Sequence, residues 1–69
     1  MSKAAIVKKS LRDQLKKCQE APGEEIRRYE RGILMGMLQA YRITDDIEPC
    51  IESYYLEKMI DMIDKECEV

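Results

Sequence analysis

Residues 24–42 read EEIRRYERGILMGMLQAYR, directly after Ala21-Pro22-Gly23. At 100° per residue, Ile26, Tyr29, Ile33, Met37 and Ala40 form a primary apolar stripe, and Leu34, Met35, Leu38 and Tyr41 widen it. The second half of this helix is therefore apolar around most of its circumference, the pattern of a buried helix. Glu24 and Glu25 stand in its first turn, where the helix dipole favours negative charge. Gly32 and Gly36 interrupt the apolar half, and each costs about 1 kcal/mol relative to Ala in a helix interior. Two readings compete for them: close helix–helix approach at an interface, or tight packing and simple tolerance within one chain.

Outward from this segment, the breaks are few. Pro22-Gly23 separates it from a first helix over about 3–20, since Pro and Gly are the strongest punctuators of regular structure. Arg42 to Asp46 separates it from a third helix over about 47–66, with Asp45 or Asp46 as the expected N-cap and Pro49 in the first turn. The first helix is expected to start from Ser2 as N-cap. Its apolar residues Ala4, Val7, Leu11, Leu15 and Cys18 share one narrow stripe, with Ile6 on the far side. The third helix has a broad apolar arc through Ile51, Tyr55, Leu56, Met59, Ile60, Met62 and Ile63.

The expected fold is all-α: a small three-helix bundle built on a long antiparallel hairpin of helices 2 and 3, with helix 1 packed across it. Sixty-nine residues make one domain, 1–69. A chain this short buries only about 60% of its unfolded surface. Two neighbouring helices hardly cover an all-round apolar helix 2, so a homodimer forming a larger bundle is expected.

Cysteine and histidine usage closes several routes. The cysteines are three (Cys18, Cys50, Cys67), widely spaced, and there is no histidine. A structural zinc site or a disulfide framework is not expected from such a set; small buried hydrophobes in a reducing cytosol is the simpler reading. No signal-peptide run and no membrane-length apolar run is visible, so the expected location is cytoplasmic.

The net charge of −2 hides a strong asymmetry. Residues 1–31 carry nine Lys/Arg against five acids, and residues 32–69 carry three against nine. On helix 3, Ser53, Glu57, Asp61, Asp64 and Glu68 follow one another at 4, 4, 3 and 4 residues and form a single, mostly acidic ridge. Like charges at this spacing disfavour a helix slightly. The ridge suits docking to a basic partner or mimicry of a phosphate backbone; a straight helix makes a poor calcium site, and a solvated face is the simplest alternative. On helix 1, Lys8, Lys9, Arg12 and Lys16 edge the apolar stripe and could track phosphates. The acidic overall balance, and tyrosines that lie elsewhere in the sequence, weaken that reading.

Catalysis has little support. There is no histidine for general base work near neutral pH, no Gly-rich phosphate loop, and no room for a ligand-sized pocket within one short chain. No cofactor, metal or small-molecule substrate is expected. Tyr and Met, by contrast, favour interfaces. The function expected is a small protein-binding module, an adaptor or inhibitor of the kind that phages and mobile elements encode. Its candidate surfaces are the acidic ridge (Glu57, Asp61, Asp64, Glu68) and the arc containing Gly32, Met35, Gly36, Leu38 and Tyr41. The alternatives are a nucleic-acid-binding regulator using Lys8, Lys9, Arg12 and Lys16, and a self-assembling structural bundle.

Overall fold

The computed structural model describes residues 2–67, with side chains for residues 2–63. Three helices follow in order: α1 (Lys3–Glu20), α2 (Glu24–Ile43) and α3 (Pro49–Cys67). The short connections make each helix antiparallel to the one before, so α1 and α3 run in the same direction. The closest packing is between α1 and α2, while α3 lies more loosely against α2.

Ser2 caps α1 as expected, its hydroxyl accepting from the Ala5 N–H at 3.3 Å. The expectation for the start of α3 is corrected. Asp45 and Asp46 do not cap it; they close α2. Asp45 takes a left-handed φ of 58°, its N–H donates to the Arg42 carbonyl at 3.2 Å, and the Asp46 N–H donates to the Tyr41 carbonyl at 2.8 Å. This pair of bonds is the Schellman ending, in which a left-handed residue turns the chain back over the last carbonyls. Asp tolerates that conformation better than most residues, which is why a glycine-free break still ends a helix. Then α3 opens at Pro49, whose missing N–H costs nothing in a first turn. The Glu48 carbonyl accepts from Ile51 and Glu52 at 3.0 and 3.3 Å.

The core is drawn from all three helices and the second connection: Val7, Leu11 and Cys18 from α1, Leu34 and Leu38 from α2, Ile47, and Met59 from α3. Tyr41, Ile51, Tyr55, Leu56 and Met62 pack against it. Two expectations for its composition change. Gln14, not Leu15, completes the buried α1 series at residues 7, 11, 14 and 18. That series has the 4-3-4 spacing of a helix seam, and Leu15 is only half-buried beside it. On α2 the buried side is shifted from the primary stripe to the residues that widen it, with Met37 of the primary stripe still packed against the core. Leu34 and Leu38 are buried, whereas Ile26, Tyr29 and Ile33 of the primary stripe are 49%, 68% and 36% exposed. The reason is geometric: α1 and α3 cover one side of α2 only.

The molecule is consequently less compact than its size allows. Its radius of gyration is 12.4 Å, against about 11 Å for a compact domain of this length. Among the described residues, no helix is long and apolar enough to cross a membrane.

Candidate functional site

A concavity of about 650 Å³ runs between α1 and α3 at the end where both helices begin. Its floor is apolar: Val7 and Leu11 from α1, Ile47 from the connection and Ile51 from α3. Ala4, lining the same wall, is too small to fill it. Tyr54 and Tyr55 form the far side, their rings edge to face with centroids 5.3 Å apart. Beyond them the Lys58 ammonium lies 5.4 Å from the Tyr54 ring centroid, within reach of the ring's negative face.

The rims carry opposite charge. Lys8 and Arg12 line the α1 side; Asp46 and Glu48 line the other. Asp46 is held by Lys3, whose Nζ lies 3.1 Å from Oδ1, and by the Thr44 hydroxyl, which donates to Oδ2. These bonds, that from Thr44 first, hold its carboxyl below the usual aspartate range. The Tyr55 phenol is pushed up, chiefly by burial and then by Tyr54, with the positive Arg12 opposing both.

This placement corrects the view that the tyrosines lie apart from the basic stripe. Two of the four flank it, although they are more than forty residues away in sequence. Lys9 and Lys16 are exposed on the outer side of α1 and do not line the groove; Lys16 pairs with Glu20 at 3.9 Å.

The acidic ridge stands elsewhere. Glu57 and Asp61 are each two residues from the buried Met59, so both point away from the core, and both are exposed. Among the described residues no ion pair joins them to Lys8, Lys9, Arg12 or Lys16, and the two charge stripes do not meet. The side chain of Asp64, and Glu68, lie outside the described residues.

Of the apolar arc, Gly32, Met35 and Gly36 are exposed, but Leu38 is 1% exposed and Tyr41 packs against the core. Leu38 and Tyr41 therefore belong to the core and its margin, not to a surface open to a partner. A Cβ placed on Gly32 or Gly36 would meet nothing within 4 Å, so tight packing inside the chain does not account for either glycine. A second, shallower groove of about 460 Å³ runs between α2 and α3 past Gly32, Met35, Ile60 and Ile63, with Arg28 and Arg31 at its edge.

The cysteines divide. Cys18 is fully buried, and burial, followed by the nearby Glu30 charge, pushes its thiol up, away from thiolate chemistry. Cys50 is exposed, contrary to the expectation of buried cysteines, because it falls on the outer side of the first turn of α3. The side chain of Cys67 lies outside the described residues. Among the described residues, no group of three or more metal-ligating side chains converges. Compared with protein-family models, curated proteins and solved structures, the chain matches none.

Proposed function

We propose that this chain is a non-catalytic protein-binding module, an adaptor or inhibitor, whose α1–α3 groove takes an amphipathic helix of another protein. The observation that carries this reading is the groove's charge order: an apolar floor between a basic rim (Lys8, Arg12) and an acidic one (Asp46, Glu48). Such an order selects a helix with an apolar stripe, acids along one edge and bases along the other. Tyr54 and Tyr55 supply rigid, amphipathic contact area at low entropic cost. The volume would also suit a small molecule, but the polar groups stand on the rims instead of converging on the floor.

A second reading, nucleic-acid binding, is favoured by Lys8 and Arg12 standing beside Tyr54 and Tyr55, since bases stack on aromatic rings while cations hold the phosphates. Asp46 and Glu48 on the opposite rim work against it.

One experiment separates them. Tagged wild type and two variants, Lys8→Glu/Arg12→Glu and Glu57→Lys/Asp61→Lys, are used to capture partners from lysate, with and without nuclease, at two salt concentrations. A nuclease-resistant protein lost only with the first variant supports the groove reading. Loss only with the second moves the site to the acidic ridge. Capture that vanishes with nuclease and falls steeply with salt identifies the nucleic-acid reading.

A further inference from the structure

The outer side of α2 is largely apolar and uncovered, its exposed charges (Glu24, Glu25, Arg28) confined to the first two turns. Ile26, Tyr29, Ile33 and Ile43 are 49%, 68%, 36% and 84% exposed. From residue 32 to 41 the sequence has no charged side chain, although Gly32, Ile33, Met35, Gly36, Gln39 and Ala40 all face solvent. Exposed positions on α1, by contrast, are mostly Lys, Arg and Asp.

The area missing from the fold matches an interface. The chain exposes 5116 Å², where a compact monomer of 8.1 kDa exposes about 4,500 Å². The excess, roughly 600 Å², is what each partner contributes to an interface at the lower end of the stable range. Ile26, Tyr29, Ile33, Met35 and Ile43 of α2 are among the large apolar side chains left exposed.

The shape points to the occupant. Protrusions (Tyr29, Ile33) and depressions (Gly32, Gly36, Ala40) alternate on one face, and the glycines have open space above them. An interface between identical copies needs both on the same surface, because each copy presents knob and hole to the other. A groove for an unrelated helix needs only the holes. The low net charge of −2 leaves little repulsion between copies. We propose that a second copy of this chain covers this face, α2 against α2, with Ile33 of each copy seated over Gly36 of the other.

Sedimentation equilibrium over a wide concentration range tests this. Wild type is expected at twice the chain mass, with a melting temperature that rises with concentration. Gly36→Leu fits the open space of the monomer and improves helix propensity, yet it fills the depression, so it is expected at the monomer mass with its helical circular dichroism intact. Ile33→Glu should dissociate likewise, and Lys8→Glu/Arg12→Glu should stay dimeric, which separates this interface from the α1–α3 groove. A wild type that is monomeric with a concentration-independent melting temperature overturns the proposal, as does a Gly36→Leu variant that remains dimeric.

Discussion

The side-chain amide of Gln14 on α1 donates twice to Glu30 on α2, to the backbone carbonyl at 2.9 Å and to the carboxylate at 2.7 Å. Gln14 is only 6% exposed and sits among Val7, Leu11 and Cys18. A slide of α1 by one turn would leave this amide buried without a partner, at about 1–3 kcal/mol. The pair therefore fixes register in a seam whose apolar contacts alone would tolerate sliding.

Replacement of Gln14 tests that role. Gln14→Ala removes both bonds and is expected to cost about 1–2 kcal/mol in urea unfolding at neutral pH. Gln14→Glu should cost more there, because it sets a second carboxylate against Glu30 in a partly dry site. Repeating the titration in acid, where one carboxyl takes a proton, should recover part of that loss. A deficit that does not change with pH would mean the two side chains are not in contact.

Cysteine reactivity should follow burial. Cys50 is expected to alkylate rapidly in the native protein, and Cys18 only after denaturation, as read by mass spectrometry of the labelled peptides. Since the folded state raises the Cys18 pKa above its ordinary 9.0, the sign for stability is fixed. The contribution is fully present below that value and is lost as pH rises through the folded pKa. Wild type should therefore lose stability relative to Cys18→Ala above about pH 9.

Much of this architecture is legible from local pattern, and the limits are specific. Pro22-Gly23 and Pro49 mark the breaks, and the apolar spacing between them leaves little but helix. Which side of α2 turns inward is not legible, because Ile26, Tyr29, Ile33 and Ala40 satisfy the helical period as well as Leu34, Leu38 and Tyr41 do. Only the positions of α1 and α3 choose between them. Gln14 could have been found from the 4-3-4 spacing of residues 7, 11, 14 and 18, had spacing been given more weight than polarity. The groove could not: Tyr54 and Tyr55 line it together with Lys8 and Arg12 of another helix, and no local pattern encodes that.

Asp46 ties the second connection to the start of α1, so its titration should be visible in stability. Its carboxyl is held below the ordinary 3.8, first by the Thr44 hydroxyl and then by Lys3. A depressed pKa gives stability that is present above the unfolded value and lost as pH falls through the folded one. Asp46→Asn should therefore melt below wild type at neutral pH, and the two curves should converge below about pH 4. Added salt should narrow the neutral-pH gap by screening the exposed Lys3. Parallel curves at all pH values would remove Asp46 from the account.

The left-handed turn at Asp45 gives the most direct test of how α2 ends. A non-glycine residue in this conformation costs about 1 kcal/mol through the clash of its Cβ with the backbone, and glycine escapes it. Asp45→Gly should therefore stabilise the fold by up to about 1 kcal/mol, less whatever is lost by freeing the unfolded chain. Asp45→Val should destabilise it by more than that, because a β-branched side chain is poorly tolerated there. Thermal melts of the two variants, compared at equal protein concentration, should fall on opposite sides of wild type. If both fall below it, the bonds from the Asp45 and Asp46 N–H groups to Arg42 and Tyr41 do not describe the turn in solution, and the connection that shapes the α1–α3 groove must be drawn differently.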